Sequence, residues 1–118
     1  MKKLAFILIA MTIVFYSCKY NKEEALQACT TDNVTYAVTI RNLMTIYNCK
    51  SCHNNSFMPS GVNAESFANL KEQALNGRLY GAITHTNPYI GMPLGYARMS
   101  DCDISKIKAW IDAGAPNN

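Results

Sequence analysis

The sequence predicts an all-α domain of three to four helices. Apolar residues recur three and four positions apart in three separate stretches, which is the spacing of a buried helix face. Segments rich in glycine, proline and asparagine separate these stretches, and no run of apolar residues resembles a set of buried β-strands. Residues 34–38 suit at most a short extended segment. The chain of 118 residues has room for one small domain.

The first residues have the organisation of a bacterial export signal. Two lysines precede an apolar stretch, residues 4–16, that is too short to span a bilayer comfortably, and Cys18 follows a small residue. This arrangement resembles a lipoprotein signal peptide, in which residues 1–17 are removed and Cys18 is lipidated. Phe15 stands where leucine is usual, so an ordinary secretory signal or an uncleaved anchor stays open. In each case we expect the domain to lie outside the cytoplasm. The lipoprotein interpretation, which we favour, anchors it by lipid to a bacterial membrane, facing the periplasm or the cell surface.

The charge balance excludes nucleic acid as a partner. The whole chain has 11 basic and 8 acidic residues, and loss of the two lysines in residues 1–17 leaves 9 against 8. A nearly neutral chain without a basic stripe has no electrostatic footprint for a polyanion. Residues 18–28 are polar and predict a lipid-anchored tether, and residues 29–118 predict the folded domain.

The first helix is predicted to begin at Thr39, whose hydroxyl can cap its first turn. Its apolar face consists of Ile40, Leu43, Met44 and Tyr47. This helix leads directly into the most specific motif of the chain.

Residues 49–53 have the sequence CKSCH, a Cys-x-x-Cys-His motif typical of covalent attachment of haem c. On a helical turn Cys49, Cys52 and His53 face the same side. The two thiols can each add across one vinyl group of a porphyrin, and the imidazole can then bind the iron from below. The motif therefore predicts one haem, bound covalently through both cysteines and ligated by His53.

Two other chemistries use a pair of cysteines at this spacing. A thioredoxin-like redox site should open a helix after a strand, and no strand pattern surrounds this motif. A zinc site could combine Cys49, Cys52, His53 and His85, but no second Cys-x-x-Cys or His-x-x-x-His follows. The redox and zinc interpretations stay open as alternatives to haem attachment, which the motif favours.

The middle of the chain predicts a loop and two helices. After His53 the composition is that of a loop, in which the carbonyl of Pro59 is a candidate acceptor for the outer ring nitrogen of His53. A helix follows over residues 64–76, ending at Gly77, and a shorter one over residues 78–84. The apolar face of the longer helix consists of Phe67, Leu70 and Ala74.

The last part of the chain predicts a loop and a terminal helix. Residues 85–95 contain two prolines and two glycines, which exclude a long regular helix. Ser100 is the predicted N-cap of the last helix, with Asp103 three positions later as in a capping box. Gly114 and Pro116 end this helix. Its apolar stripe consists of Cys102, Ile104, Ile107, Trp110 and Ile111.

The five cysteines divide into three groups. Lipid accounts for Cys18 and haem for the two motif cysteines, which leaves Cys29 and Cys102 as a pair in an oxidising compartment. We predict a disulfide between them, because free thiols are uncommon in exported proteins. Two separate thiols are the alternative.

The second axial ligand of the iron decides between electron transfer and ligand chemistry. Met92 lies in Gly91-Met92-Pro93, a loop that can lay a thioether across the open face of the ring. Met99 precedes the last helix and suits a core position, and His85 suits a surface position. We therefore predict Met92 as the sixth ligand, with Met99, His85 or no protein ligand as alternatives.

Together these motifs resemble a small class I cytochrome c. More narrowly, Asn48-Cys49, the Gly91-Met92-Pro93 loop and the terminal WIDAGAP at residues 110–116 are similar to lipoprotein cytochrome c domains of Bacteroidetes-type bacteria. The resemblance covers residues 29–118. It implies a class I cytochrome c-like fold packed around one haem, in which the first and last helices cross.

The predicted function is that of a monomeric, single-haem electron carrier between membrane-associated or periplasmic redox proteins. No acid/base pair accompanies the motif, so we do not expect independent catalysis. The alternative is a subunit or domain through which electrons pass into a haem-dependent oxidoreductase or a peroxidase-like system.

Overall fold

The computed structural model describes residues 29–118. The predicted signal peptide, the tether and lipidation at Cys18 lie outside these residues. Within them the chain forms helices and loops and contains no β-strand, which confirms the all-α class. A π-helical turn, Tyr36–Ile40, leads into five α-helices and one 3-10 turn. These are α1 (Arg41–Ile46), α2 (Cys49–Cys52), the 3-10 turn (Pro59–Gly61), α3 (Phe67–Leu75), α4 (Arg78–Ile83) and α5 (Asp101–Asp112).

The first helical segment begins one turn earlier than predicted. Thr35, and not Thr39, is its N-cap, and the Thr35 hydroxyl accepts a hydrogen bond from the amide of Val38. The extended segment predicted over residues 34–38 is therefore wrong from Tyr36 onward. The side chains of Tyr36 and Ile40 are both buried in the hydrophobic core. Tertiary burial has overridden the strand preference of β-branched residues here.

An aromatic cluster joins the first and last helical segments. The ring of Tyr36 stacks on Trp110 with a centroid separation of 5.9 Å and meets Phe67 edge-on at 4.7 Å. The indole nitrogen of Trp110 donates to the carbonyl of Pro116 at 2.9 Å, so the buried ring leaves no polar atom unpaired. The chain end returns to the first segment, where the amide of Ala37 donates to the carbonyl of Asn118.

The two middle helices differ from prediction only at their ends. α3 starts at Phe67 instead of residue 64, because the Asn63 side chain accepts from the amides of Glu65 and Ser66 and holds them in a turn. Gly77 has φ +85° and ends α3 as predicted, since the left-handed conformation suits glycine. α4 follows immediately.

The terminal helix α5 agrees with its predicted capping. The Ser100 hydroxyl accepts from the amide of Asp103 at 3.1 Å, which satisfies one of the free amides at the helix start. Ile104, Ile107 and Trp110 are buried at helical spacing.

Cys29 and Cys102 lie at disulfide distance, with their Cα atoms 5.3 Å apart, in agreement with the predicted pair. This link ties the start of the described chain to the first turn of α5. Among residues 29–118 no helix has the length and apolar character needed to cross a membrane.

Candidate haem site

The CKSCH motif forms one helical turn. Asn48 adopts a left-handed conformation with φ 54°, which separates α1 from α2 and redirects the chain. The amide of His53 donates to the carbonyl of Cys49 at 2.9 Å and closes the turn. Cys49, Cys52 and His53 therefore share a single turn, as their spacing predicts.

The Asn54 side chain ends this turn. Its amide group donates to the carbonyls of Lys50 at 3.0 Å and Ser51 at 3.2 Å. Its oxygen accepts from the amides of Ser56 and Phe57, each at 2.9 Å. One side chain thus satisfies polar groups on both sides of the helix end. The sequence analysis missed this role, although asparagine directly after a short helix is a recognisable capping signal.

The two motif thiols differ in their surroundings. Cys49 is half-buried and Cys52 is exposed, and both are free. Burial raises the pKa of the Cys49 thiol and outweighs the opposing effects of its backbone hydrogen bond and the nearby charge of Lys50. Cys49 is therefore held as a thiol at neutral pH.

The ring of His53 is oriented by Val62. Its Nδ1 lies 3.3 Å from the carbonyl oxygen of Val62. The predicted acceptor, the Pro59 carbonyl, instead accepts from the amide of Val62 at 3.2 Å within the 3-10 turn. Since a carbonyl only accepts, Nδ1 carries the hydrogen and Nε2 keeps its lone pair. The imidazole thus has the tautomer that a metal ligand needs.

The asparagine-rich loop after the motif is tied down by its own side chains. Asn63 is 5% exposed and donates to the side-chain oxygen of Asn55 at 2.9 Å. Asn69 accepts from the amide of Asn63 at 2.8 Å and donates to the carbonyl of Gly61 at 3.0 Å. Loop composition alone predicted irregular structure here. The side-chain hydrogen bonds show that this loop has a defined conformation, and they fix the segment that contains Val62.

Met92 is half-buried in a loop held against α4. Its amide donates to the carbonyl of Ala82 at 2.9 Å, and its carbonyl lies 3.1 Å from Nε2 of His85. No hydrogen bond between described residues joins this loop to the CKSCH turn. The structure therefore places three predicted site residues together and Met92 on a separate, well-anchored loop.

The alternative sixth ligands occupy the surroundings predicted for them. Met99 is 2% exposed and packs in the core. His85 is exposed, and its Nε2 is engaged by the Met92 carbonyl. Met92, by contrast, is not among the residues of the hydrophobic core cluster.

Most of the large apolar side chains that remain exposed lie in the two loops next to the predicted haem residues. Among the described residues, six of the nine such side chains are in these loops. The first loop has Phe57 and Met58, and the second, around Met92, has Tyr89, Ile90, Leu94 and Tyr96.

These loops also lack charge. Neither residues 51–64 nor residues 79–97 contain an aspartate, glutamate, lysine or arginine. Uncharged loops with exposed apolar side chains are compatible with contact to an apolar group. The donor set and its surroundings thus fit a haem, whose ring is large and apolar.

A polar link joins the motif region to α5. The Tyr47 hydroxyl donates to a carboxylate oxygen of Asp103 at 2.8 Å and accepts from the amide of Ser100 at 3.1 Å. Burial opposes ionisation of Asp103, but hydrogen bonds from Tyr47, Lys106 and Ser100 outweigh it and lower the pKa of this carboxyl. The link lies two residues before Cys49.

The geometry gives no support to the zinc alternative. Within residues 29–118, no group of three or more His, Cys, Asp or Glu side chains is arranged to hold a metal ion. Two surface cavities, of about 240 and 460 Å³, both border Arg41 and Lys50 and include none of the predicted haem residues. The candidate site is therefore centred on the CKSCH turn, with the Met92 loop as a separate element.

No family model, curated protein or solved structure matches this chain.

Proposed function

We propose that the protein is a class I c-type cytochrome with one haem, which carries electrons between membrane-associated or periplasmic redox proteins. The observation that carries this proposal is the CKSCH turn, in which Cys49, Cys52 and His53 share one turn and the His53 ring contacts the carbonyl of Val62 through Nδ1. The helical class, the disulfide pair and the apolar loops support it.

The two thiols have the attachment role. Each S–H would add across one vinyl C=C bond of the haem, with sulfur bonding to one carbon and the hydrogen going to the other. No oxidant is consumed, and two thioether bonds result. The helical turn that presents Cys49 and Cys52 together is closed by the backbone and by Asn54.

The axial roles belong to His53 and Met92. Nε2 of His53 would be the iron ligand, because Nδ1 donates to the carbonyl of Val62 and this contact fixes the ring. Met92 would supply a thioether as the second ligand, a ligand type that favours the reduced state of iron. When bound, the haem supplies reversible one-electron cycling between Fe(III) and Fe(II).

The rest of the chain keeps the site dry and rigid. Apolar side chains of the two loops, such as Phe57 and Ile90, are exposed and would exclude water from a bound haem where they cover it. The link from Tyr47 to Asp103 holds the motif region against α5, so little has to reorganise when an electron moves.

The setting of this carrier follows from residues 1–28. We propose that the chain is exported, lipidated at Cys18 and held at a bacterial membrane by the 18–28 tether, as a monomer. Its partners are then redox proteins that approach the haem edge through small, weak interfaces.

The test is the absorption spectrum of the exported chain, produced in a host that attaches haem c. We expect a haem spectrum that survives acid-acetone extraction, because thioether bonds are covalent. Cys49→Ser combined with Cys52→Ser should abolish the retained haem. Ser51→Ala, which lies between the two cysteines, is the matched control and should keep it. A protein without haem, or with haem that is fully extracted, would overturn the proposal.

A further inference from the structure

His85 makes two distinct contacts with the loop that carries Met92. Its Nε2 lies 3.1 Å from the Met92 carbonyl oxygen, and its ring lies against Gly91. Since a carbonyl only accepts, Nε2 carries the hydrogen and donates. The side chain therefore contacts the residue before the predicted ligand as well as the ligand itself.

The contact with the His85 ring requires a residue without a side chain at position 91. A Cβ atom at Gly91 would lie 2.8 Å from Cγ, 2.9 Å from Cδ2 and 3.0 Å from Nδ1 of His85. Real Cβ atoms do not approach other atoms so closely, so the His85 ring occupies the space that a side chain at Gly91 would need. The motif Gly91-Met92-Pro93 thus has a glycine for a packing reason.

The two ends of this loop meet at one backbone atom. The carbonyl of Ala82 accepts from the amide of His85 at 3.2 Å and from the amide of Met92 at 2.9 Å. His85 has φ 57°, a left-handed conformation that turns its side chain back toward the other end of the loop. At the loop tip, the ring of Tyr89 covers Gly81, where any side chain would overlap it. The loop is thereby closed across its base and held against α4.

We propose that His85 is a positioning residue for the distal ligand: it closes the 85–92 loop and fixes the backbone of Met92, so that the thioether has one direction. This inference rests on the proposed function, in which Met92 binds the iron. In this proposal His85 is not an axial ligand, because its Nε2 donates a hydrogen bond to the Met92 carbonyl.

The experiment uses the holoprotein and two readouts. The first is the weak far-red absorption band that a methionine ligand gives to ferric haem, and the second is the affinity of the ferric protein for imidazole, which competes with the thioether. His85→Ala should weaken the band and tighten imidazole binding by about three- to tenfold, the change expected from one lost hydrogen bond. His85→Gln, which keeps a donor of similar reach, should recover part of both.

Gly91→Ala separates positioning from a general loss of stability. With His85 present, the added methyl group displaces the ring, so this variant should resemble His85→Ala. In the double variant His85→Ala, Gly91→Ala the imidazole ring is absent and the methyl group has room. The double variant should therefore give the same band intensity and imidazole affinity as His85→Ala alone. Equal, additive effects of Gly91→Ala in both backgrounds would overturn the inference.

The Met92→Ala variant distinguishes failure of the positioning role from failure of the proposed function. If Met92→Ala abolishes the far-red band while His85→Ala changes neither readout, Met92 is the ligand and His85 does not position it. If Met92→Ala leaves the spectrum unchanged, the ligation on which the inference rests is wrong.

Discussion

Asp103 illustrates how one side chain connects separate parts of the chain. Its two carboxylate oxygens accept from the hydroxyls of Tyr47 and Ser100 and from the ammonium group of Lys106, at 2.8, 2.9 and 3.1 Å. These donors stabilise the ionised form and lower its pKa in the folded protein despite partial burial. The carboxylate of the predicted capping box thus also links α5 to Tyr47, two residues before the motif.

Because the pKa of Asp103 is lowered on folding, its contribution to stability is present above the unfolded value, near 3.8, and is lost as pH falls through the folded value. We therefore expect Asp103→Asn to lower the free energy of unfolding at pH 7. The deficit relative to the wild type should shrink below about pH 4. Urea denaturation at several pH values measures it. Asp32→Asn, at an exposed carboxylate, is the control, and a deficit independent of pH would contradict the assignment.

At the level of single residues, the sequence predicted which motif residues share a turn but not the contacts around them. Cys49, Cys52 and His53 could be placed together because local helical spacing alone puts them on one turn. The hydrogen-bond acceptor for His53 could not be predicted in this way. The Pro59 carbonyl is used by the amide of Val62, and the Val62 carbonyl is the one that contacts the ring.

At the scale of elements, helix ends were predicted well where a local side chain caps them and poorly where burial decides. Ser100 and Gly77 act through neighbouring backbone groups, so α5 and the end of α3 agree with prediction. The first helical segment begins at Tyr36 because its ring stacks in the core, a contact with Trp110 that no local pattern encodes.

The cap of α5 gives a test at this scale. Ser100→Ala removes the hydroxyl that accepts from the Asp103 amide, and we expect it to cost about 1 kcal/mol of unfolding free energy. Ser105→Ala is the matched control within the same helix, because the Ser105 hydroxyl bonds back to the carbonyl of Asp101 and caps nothing. Denaturant titration of both variants measures the difference, and equal losses would show that Ser100 is not an effective cap.

At the scale of the whole molecule, the pair Cys29 and Cys102 connects residues 73 positions apart. A link of this span restricts the unfolded chain and holds the first described residue beside α5. Since the tether precedes Cys29, the same link sets where the proposed membrane anchor leaves the domain.

We expect the double variant Cys29→Ser, Cys102→Ser to lose about 2–5 kcal/mol of unfolding free energy while keeping its haem spectrum. A mild reductant should destabilise the wild type by a similar amount and leave the double variant unchanged. Equilibrium unfolding of the holoprotein with and without reductant measures both effects. A wild type insensitive to complete reduction would show that the pair contributes nothing.

The sequence by itself determined the helical class, the disulfide partners and the residues proposed to bind haem, because spacing along a helix and the count of cysteines are properties of the chain alone. Only the tertiary structure decided where the first helix starts, that Val62 orients His53, and that His85 closes the loop of Met92. These features depend on groups distant in sequence or on which backbone groups a turn leaves free, and local patterns do not specify either.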